Sequence, residues 1–152
     1  QIFGDDVMEQ YCQDRYGILD ESSFNRRSCT MCYFFLFATD REFRPHSQTM
    51  EFLESRNTSR GLAGRLIAPD IKNATAMGLI CSSLDHQECI RWTDCCTAAF
   101  GCCQSQVTTV HTAPSALCPA TWDGYSCWDY TPPGQVLSKP CPDYVGFSVN
   151  SR

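Results

Sequence analysis

The cysteines constrain this chain more than any other feature of its sequence. Twelve of its 152 residues are cysteine, and a fraction of about 8 % is close to the range of disulfide scaffolds. An even number of cysteines in a short chain is typical of an oxidised framework, which forms in secreted and extracellular proteins. The pair Cys29 and Cys32 is interpreted as two half-cystines, because a metal site needs thiolates that an oxidising compartment removes.

Charge and hydropathy argue against nucleic acid and membrane as partners of this chain. The net charge is −5 and the basic residues are scattered, whereas nucleic acid or an anionic membrane surface requires a clustered basic face. The longest apolar run, residues 32–38 (CYFFLFA), is too short to span a bilayer. The first ten residues lack the pattern of a signal peptide, so we expect that one has been removed. Sequons at Asn57 and Asn73 are candidate glycosylation sites and agree with secretion.

The distribution of cysteines divides the chain into two parts. Residues 81–152 contain nine of the twelve cysteines and are interpreted as a dense disulfide module. Residues 1–80 contain three and are interpreted as an N-terminal extension that disulfides join to the module. The extension is expected to be mostly helical with loops. Residues 43–53 have helical spacing, and Ala68-Pro69 marks a break because a residue before proline is disfavoured in a helix.

The clearest predicted helix covers residues 83–104, with Ser82 or Ser83 as its cap. Cysteine, tryptophan and alanine recur there at helical spacings of three and four residues, which predicts a buried and cross-linked face. The members of this stripe are Cys89, Trp92, Cys96, Ala99 and Cys103. Cys95 and Cys102 lie beside the stripe, and we expect them to reach a second surface, that of the extension.

Short hairpins are predicted after this helix. Asp123-Gly124 is a strong hairpin dipeptide, and residues 131–134 (TPPG) form a second turn. Residues 135–138 alternate polar and apolar as a strand does. The expected fold class is therefore α+β, a small disulfide-rich module in which a helix packs on short antiparallel hairpins.

No arrangement of residues indicates an enzyme. Paired cysteines on a helix near His86 partly resemble a secreted phospholipase, but Cys95-Cys96 is not followed by His-Asp and no glycine-rich calcium loop is present. The other histidines, His46 and His111, are far from it in sequence. There is also no nucleophile elbow. We expect no catalytic residue, no metal and no cofactor.

Residues 117–144 (LCPATWDGYSCWDYTPPGQVLSKPCPDY) carry a more specific pattern. Cysteines at spacings of nine and fourteen frame Trp-Asp-Gly-Tyr-x-Cys-Trp and Cys-Pro-Asp-Tyr. Over residues 85–147 the chain resembles the hormone-binding extracellular domain of secretin-family (class B) G-protein-coupled receptors. Calcitonin-receptor-like and invertebrate neuropeptide receptors of that family are the nearest in pattern.

The resemblance implies roles for individual residues. Asp123 orders the turn and Trp128 packs in the small core, so both are structural. An aromatic side chain at the position of Tyr125 faces the hormone in this family. The residues expected to bind a peptide are Tyr125, Tyr144, Trp92, Trp122 and Val145.

The cysteine pattern departs from that of the family. The family pairs its first cysteine with the third, the second with the fifth and the fourth with the sixth. Here Cys102 or Cys103 stands first, Cys118 second, Cys127 third and Cys141 fourth, and no fifth or sixth follows. Three explanations are open: a piece of a longer ectodomain, which we favour, a natural short form with other pairings, or an incomplete sequence.

The function that the resemblance implies is capture of the C-terminal half of an amphipathic peptide hormone or neuropeptide in a groove between helix and hairpins. The chain is then expected on the extracellular face of the plasma membrane, connected to the membrane only through a transmembrane domain that this chain lacks. The alternative is a cell-surface interaction module in which the extension contacts a protein partner.

Overall fold

The structure, a computed structural model, describes residues 10–37, 43–46, 51–54, 66–109 and 116–145. The helices are α1 (Glu21–Leu36), α2 (Ala74–Cys81) and α3 (His86–Thr109), with a 3₁₀ turn at Asp143–Val145. The strands are β1 (Tyr11–Asp14), β2 (Gly17–Asp20), β3 (Phe43–His46), β4 (Glu51–Glu54), β5 (Leu66–Ile67), β6 (Thr121–Trp122) and β7 (Cys127–Trp128). Helices, two small sheets and five disulfides in the described part of the chain confirm the expected α+β disulfide-rich class.

Side-chain caps fix where the first two helices begin. Asp20 Oδ2 accepts a hydrogen bond from Ser23 N at 3.0 Å. Hydrogen bonding by the Ser23 side chain, and to a smaller extent by this backbone N–H, lowers the pKa of the Asp20 carboxyl. Asn73 Oδ1 accepts from the backbone N–H groups of Thr75 and Ala76 at 3.1 and 3.2 Å. Each cap satisfies amide donors that have no partner within the helix itself.

The long helix starts later than predicted and ends later. Glu88 N donates to Asp85 Oδ1 at 2.8 Å while Asp85 N donates to Glu88 Oε1 at 3.2 Å, a reciprocal capping box that places the start of α3 at His86. The predicted cap at Ser82 or Ser83 is wrong, because both hydroxyls donate to carbonyls at the end of α2. Helix α3 continues five residues beyond the predicted end, to Thr109.

The predicted stripe on α3 forms the centre of the core at four of its five positions, whereas Cys89 is only partly buried and bonds to Cys81. Trp92, Cys96, Ala99 and Cys103 are at most 2 % exposed. Trp92 Nε1 donates to the carbonyl of Cys29 at 2.9 Å, so the buried indole has its hydrogen-bond partner on α1.

Disulfides join the N-terminal region to α3 at three places. Cys12, Cys29 and Cys32 bond respectively to Cys103, Cys96 and Cys95. The expectation that Cys95 reaches the extension is confirmed. The same expectation for Cys102 is wrong, because Cys102 bonds to Cys127 on β7.

The N-terminal region also contributes two strands, β1 and β2, to the sheet that contains the hairpin. The strand order is β2-β1-β6-β7, with β1 parallel to β6 at Asp14 and Trp122. Gln106 on α3 is buried beside β1, where its amide accepts from Gln13 N at 2.7 Å and donates to Gln13 O at 3.0 Å. The division of the chain at residue 80 stays a prediction, and the core contains residues from both sides of that position.

The prediction of a helix over residues 43–53 is wrong. The backbone forms the antiparallel strands β3 and β4 there, and Leu66–Ile67 adds a third strand as β5. Pro45 explains the difference, because proline has no N–H for a helical hydrogen bond and also disfavours helix at Arg44 before it. The spacing of apolar residues was compatible with either structure.

The prediction of a strand over residues 135–138 is also wrong. Gly134, at φ 81°, completes a turn in which Gln135 N donates to Pro132 O at 3.3 Å, and the backbone that follows has no strand partner. Prolines at 132, 133 and 140 remove N–H donors on both sides of the segment. The pairing that does form joins Cys118 to Thr131 as an isolated bridge.

A nearly buried ion pair fixes the turn between β1 and β2 against α1. Arg27 donates from Nε to Asp14 Oδ2 at 2.9 Å and from its terminal nitrogen to Asp14 Oδ1 at 2.7 Å. The backbone N–H groups of Tyr16 and Gly17 also donate to Asp14 Oδ1. Gly17 has φ 141°, a left-handed conformation that favours glycine at the turn.

Replacing Arg27 by methionine should lower the free energy of unfolding by about 3 kcal/mol, because the Asp14 carboxylate then loses its countercharge while it stays buried. Urea denaturation with the disulfides intact measures this loss. The matched control is Arg26→Met, since Arg26 makes no ion pair within the described residues and should lose less than about 1 kcal/mol. Equal losses in the two variants would contradict the assignment.

Candidate functional site

The turn between β6 and β7 is ordered by one carboxylate. Asp123 Oδ1 accepts from the backbone N–H groups of Tyr125 and Ser126 at 2.8 and 2.7 Å, and Oδ2 accepts from Trp128 Nε1 at 2.8 Å. Gly124 has φ 108°, and a Cβ there would lie 3.1 Å from the ring of Phe35 on α1. Both carboxylate oxygens are therefore directed at the turn. The Trp128 ring is only partly buried and is not among the core side chains, so the expectation that it packs in the small core is wrong.

An open groove of about 550 Å³ lies beside this turn. Its walls come from the end of α1, from α3, from the turn and from the segment that leads into the 3₁₀ turn. The lining residues are Phe35, Leu36, Arg91, Asp123, Tyr125, Ser126, Lys139, Pro140, Cys141, Pro142 and Val145. Volumes of about 300–1,000 Å³ with mixed apolar and polar walls are typical of ligand sites.

Arg91 connects α3 to the C-terminal wall of the groove. Its Nε donates to the carbonyl of Tyr144 at 2.9 Å, and a terminal nitrogen donates to the carbonyl of Val145 at 2.8 Å. The guanidinium also lies 5.6 Å from the centroid of the Phe37 ring. This one side chain therefore positions the 3₁₀ turn against both long helices.

The two predicted tyrosines are joined to each other by a hydrogen bond beside the groove. The Tyr144 hydroxyl donates to the carbonyl of Tyr125. Burial, with a smaller contribution from Asp123 and Asp94, raises the pKa of Tyr144 to about 12. Burial also raises the pKa of Tyr125, whereas Arg15 opposes the shift. Both phenols are therefore neutral donors at physiological pH.

The structure brings only part of the predicted binding set to the groove. Tyr125 and Val145 line it, and Tyr144 supports it from behind. Trp92 and Trp122 are 0 % and 2 % exposed, so their side chains belong to the core and present no surface to a ligand. Trp122 faces inward because it precedes the turn on β6, where alternate residues point to opposite faces.

Seven groove residues were not predicted from the sequence: Phe35, Leu36, Arg91, Ser126, Lys139, Pro140 and Pro142. Phe35 and Leu36 come from α1, and Arg91 and Lys139 carry the basic groups. The signal for the first two was the apolar run at residues 32–38, which is longer than one buried helix face requires. Lys139 is recognisable only in the folded chain, where its Nζ donates to the carbonyl of Cys127 and lies 5.4 Å from the Trp128 ring centroid.

The disulfides agree in part with the pairing that the resemblance implied. Cys102–Cys127 corresponds to the bond between the first and third family cysteines, and Cys103 bonds to Cys12 instead. Cys118 and Cys141 are exposed free thiols. Their bonding to each other, one alternative for a short form, is not observed.

The remaining candidate residues, where the structure describes them, form no further site. No three His, Cys, Asp or Glu side chains within the described ranges converge as metal ligands, and no described helix is long and apolar enough to cross a membrane. His86 is the first residue of α3. Asn73 is exposed at the start of α2, and Asn57 lies outside the described residues.

Comparison with known proteins finds a family match in the segment that contains the β6–β7 turn and the C-terminal wall of the groove. Residues 115–151 match the family model described as a hormone receptor domain. The chain is 43 % identical over 60 residues to the G-protein coupled receptor seb-2 of Caenorhabditis elegans, covering 39 % of this chain and 12 % of that receptor. It is 41 % identical over 59 residues to the growth hormone-releasing hormone receptor of Mus musculus, covering 39 % of this chain and 14 % of that receptor.

The calcitonin receptor of Sus scrofa is 59 % identical over 27 residues, which are 18 % of this chain and 5 % of that receptor. The chain thus spans a small fraction of the length of the relatives it matches. No solved structure matches it.

All three relatives are named as receptors, and two of them as receptors for peptide hormones. The resemblance drawn from the tryptophan, aspartate and cysteine pattern is confirmed by these matches. These matches support a hormone receptor domain of the class B G-protein-coupled receptor type in the C-terminal part of this chain, and the relatives that it matches are receptors, not enzymes.

Proposed function

We propose that this chain is the extracellular ligand-binding region of a peptide-hormone or neuropeptide receptor, and that it captures the C-terminal half of an amphipathic peptide. The observation that carries the proposal is the position of the groove, which is lined by Tyr125 and Val145 within the segment that matches the hormone receptor domain. Its aromatic, proline and aliphatic lining fits the apolar face of a peptide helix. The other half of the peptide would then be free to reach the membrane domain of the receptor.

Tyr125 is the central contact in this proposal. It is half-buried at the edge of the turn, and its backbone is fixed by Asp123 and by the Tyr144 hydroxyl. A rigid aromatic side chain at the centre of a groove is typical of the residues that dominate binding energy. Tyr144 has a positioning role, because its phenol joins the 3₁₀ turn to the hairpin.

The disulfides support an extracellular location. Bonds between cysteines as distant as Cys12 and Cys103 persist in oxidising compartments and are rare in the cytosol. The sequon at Asn73 is exposed, and its side-chain oxygen rather than its nitrogen is used by the cap of α2. We propose that Asn73 carries an N-linked glycan.

A second candidate function is contact of the N-terminal region with a protein partner. The observation in its favour is an exposed apolar face on the β1–β2 pair, where Tyr11 is 53 % and Ile18 is 66 % exposed. The strand register places both side chains on the same face. Loss of partner binding in Ile18→Glu but not in Tyr125→Ala would favour this function.

Replacing Tyr125 by alanine should weaken binding of groove peptides at least about tenfold, because the variant removes the aromatic contact and keeps the backbone carbonyl that Tyr144 uses. The probes are calcitonin, growth hormone-releasing hormone and amphipathic peptides selected from a displayed library on the oxidised chain. Fluorescence anisotropy measures the affinities. Val136→Ala is the control, since Val136 is 88 % exposed and outside the groove. Unchanged affinity for every selected peptide in Tyr125→Ala would contradict the proposal.

Replacing Thr75 by alanine should yield a chain with one N-glycan fewer after expression in a eukaryotic secretory host. The variant destroys the sequon and keeps the cap, because Thr75 contributes only its backbone N–H to Asn73. Intact mass before and after enzymatic deglycosylation measures the change. Thr75→Ser restores the sequon and should restore the mass. An unaltered glycan count in Thr75→Ala would exclude glycosylation at Asn73.

Burial of the Tyr144 phenol, which raises its pKa, should make the protein less stable at alkaline pH. The pKa of Tyr144 is about 12 in the folded protein and about 10 in an unfolded chain. The folded state therefore holds the proton more tightly, and the stability it provides is present below pH 10 and is lost as the pH rises towards 12. Chemical denaturation between pH 8 and 11 measures the slope, which Tyr144→Phe should reduce. An identical slope in the variant would refute this assignment.

A further inference from the structure

We infer that α1 forms one wall of the peptide groove, that Phe35 contacts the ligand directly, and that the ligand presents an apolar side chain next to a carboxylate. This inference rests on the proposed function and adds a partner chemistry to it. The elements of the wall come from the N-terminal region, whereas the segment that matches the hormone receptor domain begins at residue 115.

Two cross-links and a hydrogen bond give α1 a fixed position beside the groove. Cys29 and Cys32 bond to Cys96 and Cys95 on α3, and the carbonyl of Cys29 accepts from the Trp92 indole. Phe35 follows Cys32 by three residues, so it lies on the same side of the helix within one turn of a covalent bond. A side chain in this position is a rigid part of the wall.

Phe35 is continuous with the aromatic surface of the hairpin. Its ring centroid lies 5.4 Å from that of Tyr125, with 33° between the ring planes. The same ring approaches Gly124 so closely that a Cβ at this position would meet it at 3.1 Å. Phe35 and Tyr125 both line the groove, so a ligand that contacts the tyrosine ring also meets the phenylalanine.

The groove is lined by two basic side chains, Arg91 and Lys139, and one acidic side chain, Asp123. Both oxygens of Asp123 accept hydrogen bonds from within the turn. Arg91 and Lys139 donate to carbonyl oxygens, and the one ion pair among the described residues joins Arg27 to Asp14 elsewhere in the fold. A chain with net charge −5 thus places two cations without carboxylate partners on a single groove. A carboxylate on the ligand is the complementary group.

The contact of Phe35 with the ligand is tested with the variant Phe35→Ala and the matched control Phe34→Ala. Phe34 neighbours Phe35 in the chain, is 46 % exposed and does not line the groove. The probe is a library-selected peptide whose binding depends on Tyr125, titrated by fluorescence anisotropy. We expect Phe35→Ala to weaken binding about tenfold and Phe34→Ala less than about twofold.

A double-mutant cycle separates direct contact from a purely structural effect. Each apolar residue of the peptide is replaced by alanine and titrated against the wild-type chain, Phe35→Leu and Phe35→Ala. Direct contact predicts that one peptide position is coupled to Phe35 by a factor of about three or more. A structural role of Phe35 would weaken all peptides equally with no coupling, and that result would overturn the inference.

Recognition of a carboxylate on the ligand is tested with Lys139→Gln and with peptides that end in a free acid or an amide. In low salt, Lys139→Gln should weaken binding about threefold for the peptide that carries the carboxylate, and 0.5 M NaCl should remove the difference. Neutralising each acidic side chain in turn, and amidating the terminus, identifies which carboxylate is recognised. Equal effects of Lys139→Gln on charged and neutral peptides would overturn this part of the inference.

The outcomes distinguish this inference from the proposed function. If Tyr125→Ala weakens binding and Phe35→Ala does not, the groove binds peptide without the α1 wall and the inference fails alone. If neither substitution changes the affinity of any selected peptide, the proposed function fails as well.

Discussion

Adjacent half-cystines on α3 bond to two half-cystines that lie three residues apart on α1, and the rest of the structure depends on this double connection. Cys95 and Cys96 point in directions about 100° apart on their helix, so the bonds to Cys32 and Cys29 restrain rotation as well as separation. Each bond closes a loop of more than sixty residues, for which chain-entropy arguments give about 4 kcal/mol of stabilisation. The indole of Trp92 fills the space beside them.

The same connection determines where a ligand surface can form. Helix α1 ends beside the hairpin turn because its buried half is joined to α3, and Phe35 and Leu36 at its end then line the groove. Asp123 orders the β6–β7 turn, which forms the opposite wall, and Arg91 positions the 3₁₀ turn at the third wall. Three separate parts of the chain thus meet at one surface, and each is positioned by a small number of polar or covalent contacts.

Much of the C-terminal module could be predicted from the sequence because its signals are local. The spacing of Trp92, Cys96 and Ala99 indicates a buried helix face, and Asp123-Gly124 indicates a turn. The parallel pairing of Asp14 with Trp122 could not be predicted, since it joins residues 108 positions apart and depends on α1 being in place. Burial of Trp122 was missed for the same reason: the element that covers it lies in the N-terminal region. Pro45 was a local signal against helix that the apolar spacing outweighed.

The order of the disulfides along the chain has a consequence for biosynthesis. Cys12 bonds to Cys103, and the bonds Cys29–Cys96 and Cys32–Cys95 are nested inside that loop. During synthesis from the N-terminus, Cys12, Cys29 and Cys32 are therefore made well before α3 supplies their partners. Until then Cys29 and Cys32 can meet each other and other cysteines already made, such as Cys12 and Cys81. A premature bond between Cys29 and Cys32 would have to be reduced or exchanged by thiol–disulfide exchange before the helices can dock.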